Sequence, residues 1–183
     1  MSKLYTIGHS TRSLKKFIAL LHTYNITHLV DVRTVPKSRH VPWFNEKELS
    51  AVLCKEHINY SHMLELGGLR HAHKESINQG WHNASFRGYA DYMQTPGFYS
   101  GLKQLNQLMK EGGKVVVMCA EAVPWRCHRS LIADAEIVRG IDVFHIMNEA
   151  AVNPHKLTPF AVVDRAKRHI KVYYPMPCCD TPL

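Results

Sequence analysis

No run of apolar residues in this 183-residue chain approaches the ~18 that a membrane-spanning helix requires, which excludes a membrane span. The opening residues MSKLYTIGHS hold no long apolar stretch of the kind at the centre of a secretory signal, so the sequence predicts a cytoplasmic protein. Low-complexity tracts, repeats and linkers are also missing. That leaves a single domain over 1–183, with 175–183 as a loose C-terminal tail. Acidic residues are in deficit, 15 Asp+Glu against 23 Lys+Arg, for a formal net charge of +8. The C-x2-C spacing that marks structural zinc is absent as well. In a reducing cytoplasm the five cysteines would stay thiols, serving packing, metal ligation or catalysis rather than disulfide stapling.

The composition that remains is ordinary for a globular protein: 45% hydrophobic and 21% charged residues. A chain with that much apolar material can offset its ordering entropy, which excludes disorder. At this length roughly two-thirds of the unfolded surface is buried on folding. The 13 histidines and the basic excess are the unusual features. A positive balance attracts polyanions in general and becomes a functional clue only where the charges converge.

The hydrophobic pattern alternates strands with helices. Leu4-Tyr5-Thr6-Ile7 is β-prone and ends at Gly8. Ser13 then caps a helix whose inner face is Leu14, Phe17, Ile18, Leu20 and Leu21. Thr27 to Val32 is the next strand, completing a unit of parallel βαβ size. Later, Gly97 to Lys110 reads as a helix stopped by Gly112-Gly113, followed by the apolar strand Lys114 to Cys119. Such an unbroken run belongs in the centre of a parallel sheet. Cys127 to Arg139 reads as a helix and Asp142 to Ile146 as a strand. Glu46 to His57 reads as a helix and Ile58 to Tyr60 as a short strand, whereas Leu66 to Arg87 has little periodicity. The pattern predicts an α/β fold, a three-layer αβα sandwich around a mainly parallel, Rossmann-like sheet.

In open parallel sheets ligands bind beyond the carboxyl ends of the strands. Polar and reactive residues crowd those exits here. After the first strand come Gly8, His9 and Ser10; after the second, Asp31, Arg33, Pro36, Ser38 and Arg39. The apolar strand delivers Cys119 and Glu121, then Cys127-His128-Arg129 at a helix start. Backbone N–H groups and the macrodipole at that start favour an anion. Arg126 and Arg129 suit a phosphate or carboxylate clamp. The same field lowers a thiol pKa, and Cys127, at the helix start, is expected to gain most, while the Glu121 charge opposes ionisation of Cys119. Cys119 and Arg126 enclose six residues, so this is not the C-x5-R loop of the phosphatases.

Other readings of these residues stay open. Cys119, Cys127 and His128, with His9 nearby, make a thiolate–imidazole set for Zn²⁺ or iron. A reversible Cys119–Cys127 disulfide is another, and a buried core thiol a third. Asp31 and Arg33, two apart on one strand face, can pair and simply hold their loop. Basic loops interleaved with Trp43, Phe44, Trp81, Phe86 and Tyr89 suit stacked bases, though such aromatics also anchor loops to a core. A nucleic-acid-binding role ranks behind a small-molecule one, because no recognition-helix or RNA-binding signature is present. Cys178-Cys179, between prolines near the end, reads as a loose end rather than a site.

Taken together, Thr6-Ile7-Gly8-His9-Ser10, Asp31-Val32-Arg33 with Pro36, Ser38 and Arg39, Tyr60 with Leu66-Gly67-Gly68, Phe86 with Gly88 to Met93, Cys119-Ala120-Glu121, Cys127-His128-Arg129 and Thr158-Pro159-Phe160-Ala161 give the chain a resemblance. It resembles the DUF488 family of uncharacterised bacterial and archaeal proteins. The resemblance implies an α/β sandwich of Rossmann-like type and brings no established activity. It also draws Gly67, Gly68 and Tyr89 toward the crevice as a lid or wall.

The expectation is an enzyme acting on a small anionic substrate, phosphate-bearing or nucleotide-like. Cys119 or Cys127 would be nucleophile or redox thiol, Glu121 and His128 acid–base partners, and His9 an orienting or proton-transferring group. Asp31, Arg33, Ser38, Arg39, Gly67, Gly68, Tyr89 and Arg129 would line the substrate.

Overall fold

The computed structural model describes residues 3–166 and 169–177. The central sheet is built from β1 (Lys3–Gly8), β2 (His28–Asp31), β3 (Asn59–His62), β4 (Val115–Cys119), β5 (Asp142–Ile146) and β6 (Val152–Pro154), in the order β3-β2-β4-β1-β5-β6. All neighbours pair in parallel except β6, which runs antiparallel to β5 at the edge. A separate two-stranded ribbon joins β7 (Val162–Asp164) to β8 (Lys171–Tyr173). The fold is the expected three-layer α/β sandwich. Among the described residues, no helix is long and apolar enough to cross a membrane.

Five helices cover the two faces: α1 (Leu14–Thr23), α2 (Glu46–Lys55), α3 (Ala84–Tyr92), α4 (Pro96–Lys110) and α5 (Arg129–Ile137). Strand alternation divides the core in two. On one face Val116 and Met118 meet Phe17 and Leu21 of α1 and Leu49 and Leu53 of α2. On the other, Val115, Val117 and Cys119 meet Leu102 and Leu105 of α4 and Leu131 and Ile132 of α5. Each such fully buried aliphatic side chain stabilises the fold by roughly 1.5–3 kcal/mol before entropy is counted. β4 is buried along its whole length, as a central parallel strand should be.

The helix signals work as the sequence suggests. The Ser13 side chain accepts from the Lys16 N–H at the start of α1 (3.3 Å), and Thr95 caps α4 with proline in its first turn. The α5 boundary shifts. Cys127 lies in extended backbone after a 3₁₀ turn at Pro124–Arg126, His128 occupies the N-cap, and the helix proper begins at Arg129. The aperiodic stretch contains a helix the pattern hid, α3. Its inward residues Gly88, Tyr89, Ala90 and Asp91 are consecutive rather than spaced, so no amphipathic stripe announces it. Pro175 to Pro177 carry no regular structure, and the rest of the expected tail, with Cys178 and Cys179, lies outside the described residues.

A candidate thiol–imidazole site at the strand ends

The carboxyl ends of β1, β4 and β2 lie side by side, so residues distant in sequence meet at one edge. Gly8 of β1 is in register with Cys119, and Asp31 of β2 with Met118. The loop after β4 lies directly on β1. A Cβ on Gly8 would sit 1.7 Å from the Glu121 carbonyl oxygen, so only glycine lets the loop dock. His9 N–H and Ser10 N–H then donate to the carbonyls of Cys119 and Ala120 (3.0 and 2.8 Å).

Alternation along β4 turns Cys119 toward α5, whose N-cap is His128. The sulfur atoms of Cys119 and Cys127 and a ring nitrogen of His128 all lie within 4.8 Å of one another. His128 Nδ1 is 3.9 Å from Cys119 Sγ and 3.7 Å from Cys127 Sγ. Its Nε2–H donates to the Val32 carbonyl at 3.1 Å, which assigns the tautomer and leaves Nδ1 to face both thiols. Room for that ring comes from Gly68, where a Cβ would fall 2.3 Å from Nδ1.

The two thiols divide their protons unequally. Cys119 is held well below the ordinary thiol range, first by the Cys127 S–H and also by His128 and the Glu121 backbone N–H, against the opposing effect of burial. Burial pushes Cys127 well above that range, and the neighbouring Cys119 charge adds to it. Sequence reasoning favoured Cys127, the nearer to the helix start. The structure reverses that order, because the Cys127 S–H and the Glu121 backbone N–H favour the charged form of Cys119, whereas burial and the Cys119 charge disfavour that of Cys127. Glu121 is exposed, and its backbone N–H, rather than its carboxylate, addresses the thiolate.

On the other face of the sheet, His9 stacks on Phe44 (centroids 4.4 Å apart) and donates from Nδ1 to the Ser10 carbonyl at 2.8 Å. Its Nε2 accepts from Arg33 Nη1 at 3.4 Å, and burial holds its pKa below the usual value, so the ring is neutral. Arg33 is itself held by Asp31, through Nε at 2.9 Å and Nη2 at 2.5 Å. Asp31 also accepts from the Tyr60 hydroxyl at 2.9 Å and is fully buried. The pair is therefore a neutralised buttress.

A cavity of about 460 Å³ opens over these groups, with His9, Arg33, Ser38, Gly68, Cys119, Glu121, Cys127 and His128 among its walls. All of these belong to motifs visible in the sequence. Lys37, Val35, Leu69 and Ser85 also line it, although no motif pointed to them, and Arg126 and Phe86 complete the ring.

Five nominated residues are placed elsewhere. Asp31 is behind Arg33. Arg129 is buried and donates to the Glu121 and Ala122 carbonyls (2.8 and 3.3 Å), so it braces the loop, while Arg126 is exposed at the cavity. Tyr89 is buried, with its hydroxyl donating to the Leu66 carbonyl and its ring 4.9 Å from His128. Gly67 packs against Thr34 and the Leu64 carbonyl. Arg39 is exposed on a neighbouring shallow depression with Lys37, Ser38 and Asn45. His9 also stays out of the thiol cluster, since both its nitrogens are engaged.

A family model described as domain of unknown function DUF488 matches residues 13–136, more than half of the chain. The chain belongs to the DUF488 family. No curated protein and no solved structure matches it significantly. The DUF488 match includes Asp31, Arg33, Gly68, Cys119, Cys127 and His128, and it stops short of His9 on one side and Thr158 to Ala161 on the other.

Chemically, the cluster can do two things. A thiolate beside an imidazole can attack an electrophile, with Nδ1 taking or returning the proton. The same three atoms can hold a metal. Their S···N separations of 3.7 and 3.9 Å lie near the ~3.6 Å edge of a tetrahedron made from ordinary Zn–S and Zn–N bonds.

Proposed function

We propose that the protein is an enzyme in which Cys119 is the nucleophile and His128 its proton partner, acting on a small anionic molecule. The convergence of both sulfurs and His128 Nδ1 within 4.8 Å at the floor of an open cavity carries this reading. Lys37 and Arg126 supply the charge for the anion. Arg33, already paired, contributes its Nη1 edge and no net charge. Phe86, Leu69 and Val35 give the substrate an apolar wall. Alkylation with iodoacetamide tests it. Cys119 should react at pH 7 at least tenfold faster than free cysteine, and His128→Ala should abolish most of the advantage. A Cys119 that reacts no faster than Cys54, the exposed thiol of α2, refutes the proposal.

One observation favours a second reading. His128 donates Nε2–H to a backbone carbonyl while aiming Nδ1 at two thiols, the arrangement of a metal-ligating histidine with its outer-shell support. Three protein ligands beside a cavity would leave a fourth position for water or substrate on zinc. Elemental analysis of protein purified without an affinity tag decides between the readings. Near one equivalent of zinc, with alkylation slow until a chelator is added, supports the metal; metal-free folded protein with fast alkylation supports the free thiolate.

A further inference from the structure

A nucleophile of the kind just proposed needs one thiol, and this site has two. Cys127 is buried to 3% exposure, lines the same cavity, and lies with its sulfur within 4.8 Å of Cys119 Sγ. Simple acyl or alkyl transfer gives it no task. A sulfur so placed is well set to attack whatever sulfur becomes attached to Cys119. Closing to the ~2.0 Å of a disulfide asks the two atoms to approach by less than 3 Å, and His128 Nδ1, 3.7 Å from Cys127 Sγ, stands ready to take its proton. The cavity specifies the substrate further: cations at Lys37 and Arg126, and an apolar wall at Phe86 and Leu69.

Resting on the reading of Cys119 as the nucleophile, we propose that the site carries out thiol–disulfide exchange with a small anionic disulfide, Cys119 attacking and Cys127 resolving. In the first step the Cys119 thiolate forms a bond to one substrate sulfur, the substrate S–S bond breaks, and the other half leaves as a thiolate that takes up the proton His128 held for Cys119, returning the imidazole to its neutral form. In the second, Cys127 gives its proton to His128 and its sulfur bonds to Cys119 Sγ. The mixed disulfide breaks and the second substrate half leaves as a thiolate. Two electrons pass from the protein dithiol to the substrate, yielding two thiols and a Cys119–Cys127 disulfide. A small dithiol reductant returns the protein to its starting state by the reverse exchange.

The test uses 5,5′-dithiobis(2-nitrobenzoate), an aromatic disulfide with two carboxylates, on the full chain carrying Cys54→Ser, Cys178→Ser and Cys179→Ser so that other thiols are silent. Stopped-flow release of thionitrobenzoate and intact mass are the readouts. Two thionitrobenzoates should be released for each reagent molecule consumed, leaving an adduct-free protein two hydrogens lighter. Adding Cys127→Ser should stop the reaction after one thionitrobenzoate, with the adduct trapped on Cys119. Fast release of one equivalent and a stable adduct on the protein that keeps both thiols overturns the exchange proposal while leaving Cys119 as a nucleophile. Absence of any phase faster than a free thiol, in protein shown folded by circular dichroism, overturns both.

Discussion

A buried chain of polar groups beside β5 makes the sharpest stability prediction. Thr6 Oγ1 pairs with His145 Nδ1 (2.7 Å), His145 Nε2 pairs with His155 Nδ1 (2.9 Å), and His155 Nε2–H donates to Asp134 (2.8 Å). Asp134 also accepts from Thr158 (2.6 Å) and Tyr174 (2.8 Å). Among the described residues His145 itself pairs with no carboxylate: its two ring nitrogens meet the Thr6 hydroxyl and His155. Burial, with the neighbouring His155 and Arg129, pushes its pKa down to about 3. A base whose folded pKa lies below its unfolded ~6.5 contributes stability that is fully present above pH 6.5 and is lost as the pH falls toward 3. At ~1.36 kcal/mol per unit, acidifying from pH 7.5 to 5.0 removes about 2 kcal/mol through this group. His145→Gln keeps a donor and an acceptor without a titrating ring. Urea unfolding of both proteins at both pH values gives the stability difference between them. That difference should narrow by about 2 kcal/mol at pH 5.0, and because two proteins are compared at each pH, the contributions of other titrating groups cancel. Parallel pH profiles for wild type and His145→Gln would show that His145 is not held neutral by the fold, and would refute the argument.

Three further outcomes follow from single contacts. Glu136 is fully buried on α5, burial raises its pKa to about 7, and among the described residues only Asn106 Nδ2 donates to it (3.1 and 3.3 Å). A raised carboxyl pKa costs stability as the pH climbs from ~4.5 through 7, so Glu136→Gln should stabilise the protein by up to about 3 kcal/mol at pH 8 and by little at pH 4.5; equal effects at both, measured by urea unfolding, sink the idea. Asp31→Asn leaves Arg33 buried without its carboxylate and should cost about 3–5 kcal/mol, a large fall in the urea midpoint; a loss under 1 kcal/mol would show that the pair relaxes into water. Gly68→Ala puts a Cβ where His128 Nδ1 stands, and should slow Cys119 alkylation at least tenfold while costing only about 1–3 kcal/mol of stability. Unchanged alkylation would show that the imidazole is not needed where it lies.

Strands β1 to β5 and four of the five helices were legible because their signals are local: Ser13 before an i, i+3, i+4 face, an apolar run in β4, glycine stops; β6, β7 and β8, three residues each, are too short to carry such a signal. The convergence of Cys119 with Cys127 and His128 was legible in part for a similar reason, since a strand end and the next helix start are neighbours in any βα unit. What the sequence hid is direction. Arg129 and Asp31 sit among reactive residues in the chain, yet their side chains turn into the protein, and only packing reveals that. Lys37, Val35 and Leu69 were invisible for the opposite reason, being unremarkable types on loops that the fold happens to bring over the cavity. The histidine chain was hidden too. His145 and His155 have no sequence relation to Asp134 or Thr6, and the contacts depend on β5 pairing with β1 and on α5 packing behind it.

Direction also settles where the positive charge acts. Arg33, Arg39, Arg126 and Arg129 were expected to electrify one crevice. Arg33 is neutralised by Asp31, Arg129 is spent on two carbonyls, and Arg39 stands outside the main cavity, so among the described residues the cations left free on the cavity wall are Arg126 and Lys37, both exposed. Exposed cations attract an anion weakly and lose that attraction as salt screens them, with a screening length near ~10 Å at 0.1 M. Binding at this site must therefore draw on the apolar wall of Phe86 and Leu69 as well as on charge, and a bare inorganic anion should be a poor ligand compared with an aromatic carboxylate of the same charge. In the proposed reading Lys37 and Arg126 attract the ligand, and the sulfur pair on the same cavity carries the chemistry.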